Sequence, residues 1–431
     1  MKRILVILSF LFILPFVSPI ISQAEINVQQ LIDAANPKDT IQLPAGAYVE
    51  NITIDKPLTL IGERNVVIKN DTTHPILTIK ADGVTVENIH LQYDTDDTQS
   101  PAILVQGAKN ESTKLTIETN SYGIRLDEAN ENVLSQIKIE GKRELPINQR
   151  KAGIDLWISH NNEVYRNEIK DVEDGIYVES SNHNQIYDNL VTHSRYGYHL
   201  MFTKDTVLEQ NESYENISGM MVMGTKNTTV KKNSIKYNQK NVQSLGLLLF
   251  DEKNTTVRNN EIAHNRIGIL IEASRDNVLD SNNVHNNYVG VQLKQAEKNK
   301  VTNNVFTANV VQGQAENSTN NETNRNYWGD HVGLDLTGNM MSDLPKTIDP
   351  FYLHLTNEYP PYRLLFHSPG MVFLEQLLHT PVEERLTDFS PLMENPLVET
   401  STKTEDEQKV LLFSSMFLLI STSMIMMGVR K

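Results

Sequence analysis

The chain has 431 residues, 39 Lys and Arg against 54 Asp and Glu, a net charge of -15 and no cysteine. The lack of cysteine excludes disulfide staples, thiolate nucleophiles, iron–sulfur clusters and thiolate zinc, so any soft-metal chemistry must use Met or His. The acidic balance argues against nucleic acid as a partner, because phosphate binding needs a basic footprint.

In chain order, Met1, Lys2 and Arg3 precede an apolar run from Ile4 to Ile21 and then Ser22, Gln23 and Ala24. A charged start, an apolar stretch and a small-residue cleavage site make 1–24 a secretory signal peptide cut near Ala24. Residues 27–36 predict a short amphipathic helix with Val28, Leu31, Ile32 and Ala35 on one face. Its place before the first strands suits a cap over the open end of a β-helix. Strands follow at 52–54, 58–61, 66–69, 77–79 and 84–86, with less regular coils to about Lys142 and an insertion over 144–151.

The most regular block comes next. Gly153, Gly175, Gly197, Gly219, Gly246, Gly268, Gly290 and Gly313 recur at 22-residue steps, with one 27-residue and one 23-residue exception. Asn167, Asn189, Asn211, Asn233, Asn260, Asn282 and Asn304 keep the period, as does an apolar residue three positions before each. Such repeats define a solenoid. Runs of period two after each glycine, separated by Asn-rich turns, predict an all-β, right-handed, single-stranded parallel β-helix of ~22 residues per coil over 25–325, with coils about 4.8 Å apart. The asparagines then form stacked turn ladders inside the coil.

Past the repeats, 326–380 are expected to plug the last coil and supply a docking segment. There Ser368 and Pro369 start a helix with apolar Val372, Leu374, Leu377 and Leu378. Residues 381–409 read as a linker. Val410 to Gly428 carries no charge and spans about 28 Å as a helix, enough for a C-terminal transmembrane anchor. Arg430 and Lys431 in the tail 429–431, against Glu405, Asp406 and Glu407 before it, orient the β-helix outside the cytoplasmic membrane.

Aligning the strand after each glycine sorts its side chains by face. The first and third residues, such as Tyr198 and Leu200, point into the core. The second and fourth point outward and bring His199 over Met221 and Met201 over Met223. Imidazole and thioether ligands without thiolate suit Cu(I). Trp157, Tyr177, Leu248 and Phe250 flank the cluster, and an apolar stripe of this kind also marks a docking surface. Spacing alone favours docking over metal, and the two are compatible if a partner delivers or receives the ion. Outward Asp155 and Glu179 invite comparison with polysaccharide-acting β-helices, but they lie diagonally without an acid partner and read as solvated surface charge. Asp330, Asp335, Asn339 and Asp343 do not match an EF-hand loop and read as capping turns.

Several of these segments together resemble the NosD family, extracytoplasmic accessory proteins for copper-site maturation in nitrous-oxide reductase. They are Arg195 to Met201, Gly219 to Met223, Leu245 to Phe250, Asn326 to Gly329, Gly333 to Asp335, Gly338 to Pro345, Ser368 to Gly370 and Asp388 to Met393. The resemblance implies partnership with an ABC transporter permease/ATPase complex, the reductase and a copper-donor lipoprotein, and a role in supplying copper or assembling a copper–sulfide cluster. It shifts the weight on His199, Met201, Met221 and Met223 from docking toward transient Cu(I) contact. The anchor departs from the soluble form of the family, and Asn339 to Ser342 replaces an acidic, glycine-rich loop. The expected protein is not an enzyme. The alternative is a cell-surface β-helix that binds or cleaves polysaccharide.

Overall fold

The computed structural model describes residues 27–70, 72–95, 99–365, 368–381 and 385–397. The expected signal peptide, transmembrane anchor and cytoplasmic tail lie outside these residues. Among the described residues no helix is long and apolar enough to cross a membrane.

The chain winds as a right-handed parallel β-solenoid. Each coil contributes one strand to each of three parallel sheets, of 13, 13 and 12 strands. The first sheet runs from Thr40–Leu43 to Glu322–Asn324, the second from Gly46–Val49 to Tyr327–Trp328, and the third from Ile52–Ile54 to Val311–Glu316. A single hydrophobic column fills the axis. It includes Val164, Ile186, Leu208 and Val230 from the first sheet and Ile169, Val191 and Ile235 from the second.

Two local devices turn the chain at each corner. One residue per corner adopts a left-handed backbone, as Asp188, Gln210 and Lys232 do with φ of 56°, 53° and 55°. The next residue is the buried Asn of the ladder. Asn189 donates from its backbone N (3.1 Å) and Nδ2 (3.0 Å) to Oδ1 of Asn211, while Nδ2 of Asn211 donates to the Ile186 carbonyl (2.8 Å). The ladder continues to Asn326, and a second one, Asn216, Asn238, Asn265, Asn287 and Asn309, runs along another corner.

The glycines bend the chain from the second sheet into the third, where a side chain has no room. A Cβ on Gly175 would lie 2.3 Å from Cγ1 of Val191 and 2.5 Å from the Gly197 carbonyl oxygen. The structure corrects the membership of this ladder. Gly123 belongs to it, since its Cβ would meet the Gly153 oxygen at 2.5 Å. Gly313 does not, because Gln312 backs Gly290 and Gly313 stands over Val291 in the core column. The missing side chain leaves space for Leu386, whose Cδ1 lies 3.2 Å from where a Cβ would be.

Both ends are closed. Helix α1 (Val28–Ala34) starts at Asn27, whose Oδ1 accepts from Gln30 N at 2.7 Å, and buries Val28 and Ile32 over the first coil. At the far end Trp328 stacks on Phe306 with ring centres 4.4 Å apart. Strand Leu386–Asp388 pairs antiparallel with Lys346–Ile348. Asp388 Oδ2 accepts from Asn326 N (2.9 Å), Asn326 Nδ2 (3.0 Å) and Trp328 Nε1 (3.1 Å), which ends the Asn ladder. The cap thus extends into residues that composition alone assigns to a linker. Helices α2 (Phe351–Glu358) and α3 (Pro369–Leu377) lie against the outer face of the third sheet, where Tyr352 and Met371 pack on Val289 and Val311. Leu377 and Leu378 are exposed.

Replacing Asn211 with Ala removes one acceptor and strands the buried Asn189 backbone N–H, at a cost of about 1–3 kcal/mol, while Asn189 Nδ2 keeps the Val164 and Tyr187 carbonyls. A lowered urea midpoint for Asn211→Ala, with little change for substitution of exposed Asn227 one corner away, is the expected result in equilibrium unfolding.

Candidate functional site

The third sheet has its longest strands between Asp174 and Glu316, and their outer face carries the candidate residues. Register places His199 beside Met221, and Met201 beside Met223, with Tyr177 and Glu179 one coil before and Leu248 and Phe250 one coil after. The inward residues Tyr198, Leu200, Met220 and Val222 are fully buried.

The outward face is more enclosed than alternation suggests. His199 is 7% exposed and Met221 6%, while Met201 and Met223 are half-buried. Tyr177 and Tyr196 close on the His199 ring, with centroids 4.9 Å and 5.1 Å away. Met221 packs with Leu245 and Leu248, and with Met223 and Tyr196 at the margin. Of the four flanking residues, Trp157 and Tyr177 are half-buried, Leu248 is buried against Met221, and Phe250 is 37% exposed. Phe202, which follows Met201, is 58% exposed. Regular alternation does not extend to this corner residue, so it was not among the flanking set.

Two residues that pattern reasoning passes over organise His199. Asp174 precedes the repeat glycine, and counting back along a regular strand puts it on the core side. The bend at Gly175 reverses that, so the column Asp174, Tyr196, Ser218, Leu245, Ile267 and Val289 faces out. Asp174 Oδ2 pairs with His199 Nδ1 at 2.8 Å, and Arg195 grips the same carboxylate through Nε (2.9 Å) and Nη2 (2.8 Å). Arg195 also reaches Glu173 at 3.1 Å and lies 4.5 Å over the Tyr196 ring. Burial works against the Asp174 carboxylate, but the hydrogen bonds from His199 and Arg195, with the Arg195 charge, outweigh it and hold its pKa below the ordinary value.

With the carboxylate at Nδ1, a neutral His199 carries its proton there and its lone pair on Nε2. That Nε2 is buried and has no hydrogen-bond partner. Tyr177 donates to the Glu179 carboxylate and lies 3.5 Å from the Met201 sulfur; burial, then this bond, raises its pKa. Among the described residues no three His, Asp or Glu side chains converge as a metal-binding group.

Asp155 does not behave as solvated surface charge. It is 3% exposed, Oδ1 lacks a partner, and Arg125 stands 3.7 Å from Oδ2. Desolvation outweighs Arg125 and pushes its pKa up to about 7. Glu179 is half-buried and held by Tyr177. Of the proposed capping-turn residues, Asp335 Oδ1 accepts from the backbone of Thr337 (3.0 Å) and Gly338 (2.7 Å), and Asp330 pairs with Lys346 at 2.8 Å.

This architecture places the molecule among right-handed parallel β-helix proteins. It is similar to the family 28 exopolygalacturonase of Yersinia enterocolitica, with a TM-score of 0.51 and 10% identity over 71% of this chain and 75% of that one. It is also similar to the alginate lyase AlyF-OU02, with a TM-score of 0.51 and 13% identity over 70% of this chain and 82% of that one. At these identities the likeness is one of fold. Comparison with curated proteins returns no match. Residues 135–343 match the family model described as periplasmic copper-binding protein (NosD), in agreement with the resemblance carried by the sequence. The matched span contains His199 and all three outward methionines.

The two buried carboxyls give opposite pH dependences. Asp155 has a folded pKa above its unfolded value, so the folded state holds the extra proton and stability falls as pH rises from about 4 to about 7. Asp174 has a depressed pKa, and its contribution is lost only as pH falls below the ordinary carboxylate range. Asp155→Asn is expected to flatten the loss between pH 4 and 7 and to raise the melting temperature at pH 8, measured by thermal unfolding across pH.

Proposed function

We propose that the protein is an extracytoplasmic, non-enzymatic accessory factor that takes Cu(I) as cargo during maturation of the copper–sulfide cluster of nitrous-oxide reductase, in partnership with an ABC transporter and a copper-donor lipoprotein. The observation that carries this reading is the buried, unpartnered Nε2 of His199, fixed from behind by Asp174 and set beside Met221 in a strand pair that also carries Met201 and Met223. Neutral imidazole and thioether are soft donors that match a monovalent copper ion and give little to hard cations. The family model's description as a periplasmic copper-binding protein supports the ion and the compartment.

His199 Nε2 would hold the ion with sulfur from the neighbouring methionines. Asp174 keeps the imidazole proton on Nδ1 and so keeps Nε2 available. Tyr177, Tyr196 and Leu248 restrict water at the site. Such a site without thiolate suits cargo that is passed on. Phe250 and Trp157 belong to the rim through which a partner approaches.

A second reading, a surface β-helix that binds or cleaves polysaccharide, draws on Asp155. This buried carboxyl stays partly protonated near neutrality beside Arg125 and Trp157. It lacks a second carboxylate assigned to act with it.

Competition titrations with Cu(I) and a chelator separate the two. The full chain is expected to retain copper, and a variant with Met201, Met221 and Met223 changed to Leu to lose it. Asp174→Asn should weaken retention by about 10–100-fold, the usual effect of losing the partner that orients a metal-binding histidine. Equal copper retention by the triple variant would sink the proposal, and depolymerisation of an acidic glycan by the wild type but not by Asp155→Asn would favour the second reading.

A further inference from the structure

Beyond the copper reading, and independent of it, the corner between the third and first sheets carries an unusual charge pattern. Lys204, Lys226, Lys253 and Arg275 occupy the same position in four consecutive coils and bridge one to the next, before Glu297 and Thr319 end the run. Coil stacking sets their backbone positions about 4.8 Å apart. Like charges opposite one another in a sheet are destabilising, and the chain as a whole carries a net charge of -15. Several lysines elsewhere on the surface are paired, as Lys231 and Lys232 are with Glu209 at 2.8 and 3.3 Å. Among the described residues none of the four ladder cations has a carboxylate within ion-pair distance.

Lys226, Lys253 and Arg275 line an open cleft of about 520 Å³ with Gly224, Ala273, Ser274 and the buried Glu252 in its wall, and Lys204 continues the ladder beyond it. Gly224 has a left-handed backbone (φ 63°), and a Cβ there would strike the Phe202 ring at 2.9 Å. Small residues thus keep the cleft open, and the exposed ring of Phe202 flanks it. Phe250, also exposed, immediately precedes Asp251 in the same wall.

We infer that this corner is a docking strip for an acidic α-helix of a partner protein, aligned with the solenoid axis. One helical turn rises 5.4 Å, so carboxylates at i, i+4, i+7 and i+11 recur at nearly the spacing of the coils, and flexible lysine stems absorb the difference. An extended segment repeats one face only every ~6.8 Å and drifts out of step within two residues. Asp251 and Glu297 in the cleft wall disfavour a uniformly anionic polymer, while Phe202 and Phe250 offer the apolar contact that a protein helix can meet.

The test is fluorescence anisotropy with the purified full chain and a labelled alanine-based 18-residue peptide bearing Glu at i, i+4, i+7 and i+11. A second peptide of the same composition has its Glu scattered around the helix. The striped peptide should bind, weaken with added salt, and lose at least tenfold in affinity when Lys204, Lys226, Lys253 and Arg275 are all changed to Gln. The scattered peptide should bind at least tenfold more weakly than the striped one. Because Gln substitution relieves repulsion, the variant should melt no lower than wild type, and a control with Lys109, Lys138, Lys298 and Lys300 changed to Gln should bind normally. Unchanged binding by the ladder variant, equal binding of the two peptides, or equal loss in the control would overturn the inference. So would binding of polygalacturonate or of phosphatidylglycerol vesicles in the absence of striped-peptide binding.

Discussion

A buried carboxamide has two donors and an acceptor to satisfy, and in this solenoid its partners are the same group one coil away and a carbonyl behind it. That requirement governs the whole molecule. A coil can lengthen only where its extra residues leave the ladder undisturbed, and the one long step among the regular coils follows this rule. Asn233 still reaches Asn260, and Asn238 still reaches Asn265, across 27 residues. The additional residues bulge out around Val242, which is largely exposed. Register is therefore held rigidly through the coils that carry His199 and the methionines, and side chains on the outer face inherit fixed neighbours.

On that face, polar and apolar demands compete in a narrow space. The Asp174 carboxylate is satisfied by both Arg195 and His199, while Asp155 one coil earlier is satisfied on one side only. Natural folds tolerate an unsatisfied buried oxygen and an unpartnered imidazole nitrogen at a cost, so their presence two coils apart marks a surface shaped by something besides folding. The helices α2 and α3 cover the same face further along, at Val289 and Val311, and leave the His199 region uncovered by them.

Much of this was legible in the sequence because the solenoid converts spacing into position. The core column, the Asn ladder, the capping helix at Val28 and the pairing of His199 with Met221 all follow from period and alternation. What escaped notice did so for local physical reasons. Alternation fails at a backbone bend, so Asp174 and Tyr196 emerged on the outer face instead of the inner one. A glycine in a repeat can be kept for different reasons, and Gly313, one residue out of phase, makes room for a cap side chain that lies 73 positions later, at Leu386. Helix α2 carries no capping side chain at Pro350, and nothing in its composition announces it. Asp155 resembled an ordinary surface acid because burial on an outer face depends on how neighbours fold over it.

The capping carboxylate at Asp388 has a further consequence. A stack of identical coils presents, at its last turn, strand edges and amide donors ready to accept another coil, whether from the same chain or from a neighbour. Asp388 fills that vacancy with a group that accepts from Asn326 and Trp328 but has no donor of its own to pass on. The Asn ladder is thereby given a definite length: it stops where an acceptor without a matching donor is laid across its end.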